Sequence, residues 1–308
     1  MIVVLAPGPL ATVQDLGRPG LAHLGISPSG AADRPSHIRA NTLVGNDLGA
    51  ATIEMTLGRL RVRFESTTTI AVTGAPCVLK LDGVVVPHGT AVGVLAGQEL
   101  RVGAPSSGLR TYLAVAGGLD VPPTLGSRST DTLSGLGPAP LRSGQVLPVA
   151  PSRTALGPPR RTESGAHGAS GTEGASGAHG ASGTDGASGT DGAGPDGPLT
   201  VTPGPRADWF TDAARETLCR TAWIVSTDTN RVGARLNGPA LDRAVTRELP
   251  SEAMVAGALQ VPPDGRPILF LADHPVTGGY PVIAVVAEAD LPRAAQLRPG
   301  AAVRFRAR

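Results

Sequence analysis

Hydrophobic and polar residues alternate with a period of two through much of the chain. The clearest case is 60–64, Leu-Arg-Val-Arg-Phe, where apolar side chains alternate with arginines as in a strand buried on one face. Short apolar segments of this kind recur from residue 53 onwards and are separated by turn residues such as Asp82-Gly83. The predicted strands are 2–5, 60–64, 69–73, 78–81, 84–86, 91–95, 100–102, 110–116, 223–226, 259–261, 268–272, 282–287 and 303–305.

Only a few short helices are predicted. Asp33 followed by Pro35 is typical of a helix start, and Gly45-Asn46 ends that helix. Asp208 is predicted to cap a second helix, and a short helix containing proline follows Asp290. The apolar faces of the first two helices are predicted to be Ile38, Leu43 and Val44, and Trp209, Phe210, Ala213, Ala214 and Leu218. The gaps between the strands leave no room for crossover helices, so the pattern predicts a mainly β fold built as antiparallel barrels or sandwiches.

The 308 residues divide into two units of ordinary domain size around a segment of different composition. Residues 160–198, the main part of the 151–198 segment, are rich in Gly, Ala and Ser, and repeat Gly-Ala-Ser-Gly and Gly-Ala-His-Gly units without large apolar side chains. Such a segment has nothing to bury, so a disordered low-complexity linker or insertion is expected there. The predicted domains are therefore 1–150, which carries a polar opening loop, and 199–308, with a crossing of the chain between the two barrels left open.

Charge and apolar content exclude several classes of protein. The net charge is +2, so an electrostatic surface for nucleic acid is not expected. The chain has no apolar run approaching the length of a membrane span, and its N-terminal apolar run is too short for a secretion signal. Cys77 and Cys219 lack CxxC or Cys/His spacing, which predicts buried thiols in a reducing compartment and no metal site. A cytoplasmic protein without nucleic-acid or membrane partners is expected.

Lys80 is the chain's only lysine. It precedes the Asp82-Gly83 turn, whereas a biotinyl lysine lies at the turn of its hairpin, so we expect a solvated strand lysine and no covalent biotin. The sequence also lacks the GxxxxGK[ST], GxSxG, HExxH and GxGxxG motifs. Any catalytic site is therefore expected to be completed by another polypeptide.

The opening stretch, residues 8–33, places hydrogen-bonding side chains among glycines and prolines that hold a loop in a defined shape. This combination favours a site for a small polar or anionic ligand. The planar guanidinium of Arg18 can bind a carboxylate or phosphate through two hydrogen bonds. Asp15 can orient this guanidinium or act as a base, and Gln14 can bind an amide. The alternative is that Asp15 and Arg18 pair only to stabilise the loop. The candidate residues here are Gln14, Asp15, Arg18, Ser29 and Asp33.

Two later loops have a similar character. Residues 126–130, Gly-Ser-Arg-Ser-Thr, offer hydroxyls, a guanidinium and amides to an oxyanion, or form a polar turn. Residues 260–265 and 273–281 combine Gln260 and Asp264 with Asp273 and the backbone amides of 277–279, or form a Pro-Asp-Gly turn and a Gly-Gly bend.

Several blocks of the sequence resemble the biotin-dependent carboxyltransferase, or allophanate hydrolase subunit 2, family. The matching blocks are 8–20, 27–33, 40–41, 45–46, 53–56, 112–118, 126–130, 260–265 and 277–281. The sequence departs from the family at 274–276, His-Pro-Val where Arg-Gln-Thr is usual, and at Asp131, where Tyr is common. The resemblance covers nearly the whole chain outside 151–198.

The resemblance implies a pair of cyclophilin-like β-barrels and an obligate complex. A free-standing chain of this length is most similar to the C components of ATP-dependent 5-oxoprolinases, which hydrolyse 5-oxoproline to glutamate with a B component of the allophanate hydrolase subunit 1 type and an A component. ATP with Mg²⁺ is then expected in the complex. The alternatives are a regulatory anti-inhibitor protein and a carboxyltransferase component of a urea carboxylase.

The candidate site follows from the three loops and the resemblance together. Catalytic roles are predicted for Asp15, Arg18, Asp273 and Thr277. Roles in binding substrate or an anion are predicted for Gln14, Ser29, Asp33, Arg128, Ser129, Thr130, Gln260, Asp264, Gly278, Gly279 and Tyr280.

Overall fold

The computed structural model of the chain describes residues 1–152 and 197–308. The first range is built mainly from antiparallel strands, and the prediction of a mainly β fold is confirmed. Its strands are β1 Ile2–Ala6, β2 Leu10–Gln14, β3 Thr52–Thr56, β4 Arg61–Phe64, β5 Thr68–Gly74, β6 Leu79–Leu81, β7 Val84–Val86, β8 Ala91–Val94, β9 Glu99–Val102, β10 Arg110–Val115 and β11 Val146–Leu147. They form a six-stranded sheet of order β11-β1-β4-β9-β6-β7 and a five-stranded sheet of order β2-β3-β10-β5-β8.

The second range contributes a separate set of strands. They are β12 Leu199–Pro203, β13 Trp223–Val225, β14 Gly233–Asn237, β15 Glu252–Ala253, β16 Ala258–Gln260, β17 Ile268–Phe270, β18 Thr277–Gly278, β19 Val282–Val286, β20 Ala302–Val303 and β21 Phe305–Ala307. Eight of them form a sheet of order β20-β13-β14-β17-β16-β19-β12-β21, and β15 pairs with β18. The predicted domain boundaries remain a prediction, and most of the predicted linker, 153–196, lies outside the described residues.

Strand alternation explains how each range forms its own core. In β4 the side chains of Val62 and Phe64 are buried, while those of Arg61 and Arg63 face solvent. The exposed Arg61 pairs with Glu99 on the neighbouring β9, so the outer face carries cross-strand ion pairs and the inner face apolar contacts. Representative core residues are Ile2, Val13, Ile53, Leu100 and Leu113 in the first range and Leu199, Trp223, Leu259, Leu269 and Ile283 in the second.

Several strand predictions need correction. Residues 10–14 of the predicted opening loop form strand β2, because Ala11 and Val13 are buried in the core and the segment pairs antiparallel with β3. Strand β14 was missed because it directly follows a polar turn. The single predicted strand at 303–305 is two strands, since Val303 pairs with Trp223 whereas Phe305 pairs with Leu199.

The first helix, α1 (Arg34–Leu43), begins as predicted, and the Asp33 carboxylate accepts a hydrogen bond from the Ser36 amide. Its buried face is partly polar: His37 and Asn41 are buried together with Ala40. Of the predicted apolar face, Val44 is buried, whereas Ile38 and Leu43 are only half-buried. Burial of these polar groups is tolerated because His37 Nδ1 lies 2.9 Å from Thr52 Oγ1 and Asn41 donates to the Ala50 carbonyl.

Helix α2 (Asp212–Arg220) is capped by Thr211 and not by Asp208. Asp208 lies in a preceding 3₁₀ turn, Ala207–Trp209, whereas the Thr211 hydroxyl accepts from the Ala214 amide at 3.1 Å. The predicted helix after Asp290 is α3, Leu291–Ala294. Within 1–152 and 197–308, no helix has the length and apolar character needed to cross a membrane.

Cys77 and Cys219 are free, but each is only half-buried and not fully buried as predicted. Partial burial still raises the pKa of the Cys77 thiol to about 11. Cys77 is therefore protonated at neutral pH and is a poor nucleophile.

Candidate functional site

The first two predicted loops meet at the carboxylate of Asp15, which directly follows β2. One carboxylate oxygen, Oδ1, accepts hydrogen bonds from the Gly17 amide at 2.7 Å, the Ser127 hydroxyl at 2.6 Å and the Ser129 hydroxyl at 2.5 Å. The other accepts from the Arg128 amide at 2.6 Å. We call Asp15 with these four donors the Asp15 network. Its bonds occupy the carboxylate, so Asp15 positions the two loops and is not a free base.

Arg18 does not pair with Asp15, so the predicted loop-stabilising ion pair is not formed. Its side chain is only 2% exposed and donates through Nη2 to the Ser129 carbonyl and through Nε to the Thr124 carbonyl at 3.4 Å. Its third nitrogen, Nη1, is buried and has no hydrogen-bond partner among the described residues. A buried charged donor without an acceptor is costly, which makes Nη1 a candidate contact for a bound group.

Gln14 shows the complementary feature. Its amide nitrogen donates to the Thr130 carbonyl at 2.9 Å and to the Thr12 hydroxyl at 3.0 Å. Its amide oxygen, Oε1, is buried and accepts no hydrogen bond from any described residue. The opening stretch therefore presents one unpaired donor and one unpaired acceptor, both next to the segment Ser129-Thr130.

A second polar centre connects the two described ranges. Glu54 and Arg110 come from the first, Arg231 and Asp273 from the second, and all four are at most 2% exposed. Arg231 binds Asp273 through two parallel hydrogen bonds of 2.8 and 2.9 Å and Glu54 through a third of 2.5 Å. Arg110 Nε lies 3.4 Å from the same Glu54 oxygen. These two guanidiniums and two carboxylates, the ion-pair cluster, are formally neutral together.

Neutral donors complete the cluster and join it to the Asp15 network. Thr132 donates to Asp273 through its amide at 2.9 Å and its hydroxyl at 2.7 Å, and Tyr112 donates its hydroxyl to Glu54 at 2.8 Å. Ser29 Oγ lies 2.7 Å from Asp273 and 3.2 Å from the Thr130 carbonyl that also accepts from Gln14. The two polar centres are therefore contiguous through Ser29 and Thr130.

The cluster keeps both of its carboxylates ionised. Burial alone raises the pKa of Asp273, but the Arg231 guanidinium and the hydrogen bonds from Ser29 and Thr132 hold this pKa below its ordinary value. Burial likewise opposes ionisation of Glu54, and Arg231 and Arg110 together hold its pKa below the usual range. The two carboxylates raise the pKa of Arg231 in spite of its burial.

Acidification is expected to destabilise the fold through these carboxylates. A depressed folded-state pKa contributes stability above the unfolded value, 4.5 for Glu54 and 3.8 for Asp273, and this stability is lost as the pH falls through the folded value. Urea unfolding at stepped pH should show a falling free energy of unfolding below about pH 4.5. The Asp273→Asn variant should be less stable at pH 7 and should show a shallower slope; a slope equal to that of the wild type would contradict the assignment.

The side chains of two other predicted residues of the first range make their hydrogen bonds outside these centres, although the Asp33 amide donates to the Tyr112 hydroxyl at 2.8 Å. Asp33 caps α1 and accepts from the Gln296 side chain at 2.7 Å. The Arg128 guanidinium donates to the Val121 carbonyl at 2.7 Å and pairs with Asp120 at 3.0 Å, partly exposed. Both residues therefore have local structural partners, although the Arg128 amide belongs to the Asp15 network.

The third predicted loop group divides in two. Asp273 is buried, whereas Thr277 is exposed on β18. The hydrogen bonds to the Asp273 carboxylate come from Ser29, Thr132 and Arg231, and not from the amides of 277–279. The first glycine of the predicted Gly-Gly bend, Gly278, belongs to strand β18, which pairs with β15. Gln260 is buried and donates to the Tyr280 carbonyl at 3.0 Å. Gly278 lies against it, where a Cβ atom would fall 2.5 Å from Gln260 Nε2.

Residues Asp264, Gly279 and Tyr280 line an open cleft of about 580 Å³ in the second range. The other charged residues of its lining are Asp242, Arg243, Arg247 and Glu248. Many of the sequence-predicted residues thus fall in two candidate sites: a buried one around Gln14, Arg18, Ser29 and Asp273, and this exposed cleft.

Sequence reasoning missed most of the ion-pair cluster. Arg231 stands in a stretch that predicts a polar turn, and Arg110 and Tyr112 stand in a stretch that predicts an ordinary strand. One signal was available: Glu54 lies between the apolar residues Ile53 and Met55 in a strand, and a carboxylate buried in this way needs a cation.

The profile described as "Carboxyltransferase domain, subdomain A and B" matches residues 24–307. The chain belongs to this family. This carboxyltransferase-domain chain is 38% identical to the C component of the 5-oxoprolinase of Escherichia coli (strain K12), over 99% of the chain and 90% of that protein. It is 33% identical to the urea amidolyase of Saccharomyces cerevisiae, over 99% of the chain but 16% of that protein.

Solved structures show the same fold. The protein TTHA0988 superimposes with a TM-score of 0.80 at 34% identity, over 99% of the chain and 55% of the solved chain. The urea amidolyase of K. lactis superimposes with a TM-score of 0.82 at 30% identity, over 99% of the chain and 18% of the solved chain. The carboxyltransferase-domain chain therefore spans about half of the first solved chain and about a fifth of the second. Similarity to the C components of 5-oxoprolinases also indicates a role in an enzyme complex.

Proposed function

We propose that the chain is the C component of an ATP-dependent 5-oxoprolinase, which opens the lactam ring of 5-oxoproline to glutamate together with A and B components. The supporting observation is the 38% identity to a 5-oxoprolinase C component that the chain matches over 90% of its length. The urea amidolyases contain a matching segment as only 16% of a longer protein. The C component, which the chain matches over most of its length, is therefore the better fit.

Lactam hydrolysis needs an activated carbonyl and a held ring. Transfer of the γ-phosphoryl group of ATP to the lactam oxygen releases ADP and makes the ring carbon more electrophilic. Water then adds to that carbon, and the ring C–N bond breaks as a proton passes to the nitrogen, which leaves an amino group and an acyl phosphate. A second water hydrolyses the acyl phosphate to the carboxylate of glutamate and inorganic phosphate. A protein promotes such steps by fixing the ring and by placing donors where negative charge develops. These are the roles that we propose for the unpaired atoms of Gln14 and Arg18.

In this proposal the Gln14 amide oxygen accepts the ring N–H, and Arg18 Nη1 donates to the substrate carboxylate or to the transferred phosphoryl group. Both atoms are buried and unpartnered, and they are complementary to the polar groups of a lactam acid. Asp15 and Ser129 position the loop beneath them, and Asp273 with Arg231 holds the two ranges in register. We propose no contact with substrate for Thr277, which is exposed on β18.

The cleft of the second range does not suit a nucleoside triphosphate. Its lining carries three carboxylates, Asp242, Glu248 and Asp264, against two guanidiniums. Of the two guanidiniums, Arg247 lies over the Trp209 ring at 5.1 Å, and Arg243 donates to the Val261 carbonyl. We therefore propose that ATP with Mg²⁺ is bound by another component. We also propose that this chain carries no covalent biotin, because Lys80 lies within β6 and not at its hairpin turn.

Reconstitution tests the proposal. Co-expression of the chain with A and B components should give ATP-dependent release of glutamate from 5-oxoproline, and leaving out any one component should abolish it. Glutamate release by the chain alone, or by A and B without it, would contradict the shared site. Because the chain also matches urea amidolyases, urea with a carboxylated biotin carrier should be assayed in parallel; turnover of urea alone would favour the carboxyltransferase alternative.

A further inference from the structure

We propose that His274 is the general base of the ring-opening step, and that its Nε2 atom accepts a proton from the attacking water. The reaction rests on the proposed function, whereas the choice of residue rests on the geometry around the imidazole ring. His274 belongs to the segment 274–276, in which the sequence departs from the family. Arginine, which is usual at this position, stays protonated and cannot accept a proton, so the assignment is specific to a chain with histidine here.

His274 lies where the two described ranges meet. It is only 5% exposed and directly follows Asp273, so the two Cα atoms are about 3.8 Å apart. Two serines of the first range hold this segment: the Ser27 hydroxyl donates to the Ala272 carbonyl at 3.3 Å, and Ser29 Oγ lies 2.7 Å from the Asp273 carboxylate. Binding sites occur preferentially at such junctions between structural units.

Short contacts connect this junction with the opening stretch. Ser29 Oγ, which contacts Asp273, also lies 3.2 Å from the Thr130 carbonyl. The same carbonyl accepts from the amide nitrogen of Gln14 at 2.9 Å. His274 therefore adjoins the buried polar centre that contains Gln14, and it belongs to that candidate site by position.

The hydrogen bond of the ring fixes its tautomer. Nδ1 lies 2.8 Å from the carbonyl oxygen of Pro275, which can only accept, so Nδ1 carries the proton of the neutral ring and Nε2 holds the lone pair. Nε2 forms no hydrogen bond with any described residue, and it is not sealed from solvent as Arg18 Nη1 is. It is thus an oriented proton acceptor that a water molecule can reach.

The carboxylates near this centre are already engaged. Asp15 accepts four hydrogen bonds, and Asp273 is bound by Arg231 and by two hydroxyl donors. The buried Asp131 accepts from the amides of residues 133 and 134 and from a serine hydroxyl. A carboxylate held in this way is a weak base, because each donor stabilises its ionised form.

The other buried histidine of the junction does not offer a free nitrogen. His37 Nδ1 lies 2.9 Å from Thr52 Oγ1, and its Nε2 lies 3.3 Å from the side-chain nitrogen of Asn41. Burial also lowers the pKa of His37. Among the described residues of the buried centre, His274 is therefore the best placed to take a proton.

The proposed role moves a proton from water to the ring nitrogen. As the water oxygen bonds to the ring carbon of the phosphorylated lactam, Nε2 takes one water proton and the ring becomes an imidazolium. As the ring C–N bond breaks, the imidazolium returns this proton to the ring nitrogen. The second water proton passes to the same nitrogen as the carbonyl of the acyl phosphate forms, so the imidazole ends neutral and the nitrogen leaves as an ammonium group.

The test uses the complex of the chain with A and B components. His274→Asn should lower the turnover number about 10²-fold and leave the KM for 5-oxoproline within about threefold of wild type. Asparagine still offers an N–H donor near the Pro275 carbonyl but has no atom in place of Nε2. His274→Ala should lose a similar amount, and added imidazole should restore its rate about tenfold, since it supplies the missing base. The matched control is His23→Asn, at an exposed histidine of the first range, which should keep the wild-type rate.

The outcomes separate the base from the function. If His274→Asn is as active as wild type, the base is wrong and the proposed function stands. If the rate falls but KM rises in parallel, the melting temperature drops, and imidazole restores nothing, His274 is structural and the base is again wrong. If the wild-type complex releases no glutamate, the function and the base are both wrong.

A measurement on the full chain alone checks the geometry without any reaction. Nitrogen-15 NMR of the histidine-labelled chain, with the His274 signals assigned by their loss in His274→Asn, should show the neutral ring protonated at Nδ1. A proton on Nε2 instead would overturn the proposal even in an active complex.

Discussion

Replacing Arg231 with methionine is expected to lower the free energy of unfolding by about 3–5 kcal/mol, because removal of one partner leaves the buried carboxylates of Asp273 and Glu54 without their main counterion. Methionine fills much of the arginine volume, so the effect reports lost charge more than a cavity. Arg110 lies 3.4 Å from Glu54 and compensates only that carboxylate. Urea unfolding at pH 7 measures the change.

The control is Arg235→Met, four residues away on β14 and exposed. It should change stability by no more than about 0.5 kcal/mol. Arg231→Lys should remain markedly destabilised, because a single ammonium cannot reproduce the paired hydrogen bonds to Asp273 together with the bond to Glu54. Equal stability of the Arg231→Met and Arg235→Met variants would show that the cluster does not hold the two ranges together.

Replacing Arg18 with lysine is expected to lower the turnover number of the reconstituted complex by about 10²–10³-fold. Lysine keeps the charge but lacks the planar guanidinium with its several N–H donors. It therefore cannot donate to the carbonyls of Ser129 and Thr124 and at the same time hold another donor in position for a ligand. Assembly with the B component should persist, because lysine keeps the charge at this position and adds no bulk. Steady-state rates of glutamate release and calorimetric affinity for B measure the two effects separately.

The matched control is Arg39→Lys, an exposed arginine on α1, which should leave both measurements unchanged. A merely structural role for Arg18 would lower its melting temperature and its affinity for B in parallel with the rate. Full activity of Arg18→Lys with normal assembly would reject the substrate-directed role of its guanidinium.

The strands were predictable because burial on one face of a sheet imposes a period of two on the sequence, as in 60–64. The cap of α1 was predictable for a similar reason, since Asp33 acts within its own turn. The polar part of the buried face of α1 was not predictable from the helix sequence. His37 and Asn41 can be buried because they form hydrogen bonds with Thr52 and Ala50, which lie outside the helix.

The candidate site shows the same limit. The Gly-, Pro- and Ser-rich blocks identified the segments that form the Asp15 network, because turn residues and hydroxyls leave a local signature. The prediction that Asp273 lies beside Thr277 was wrong: Asp273 is four residues before Thr277 in the chain, but its carboxylate binds Arg231 in the interior. Arg231 was not predicted as a site residue, because nothing in its neighbouring residues indicates that its partners are Glu54 and Asp273.

The sequence by itself determined the mainly β fold, the family blocks and the segments from which a site could be built, because each depends on residues close together in the chain. Only the tertiary structure decided which groups are satisfied and which are not. Asp15 and Arg18 are three residues apart and look like a pair. The Asp15 carboxylate, however, accepts from the Ser127 and Ser129 hydroxyls and from the amides of Gly17 and Arg128, whereas Arg18 keeps one unpaired nitrogen. The physical reason is that burial and hydrogen bonding are set by contacts between distant segments, here more than 100 residues apart.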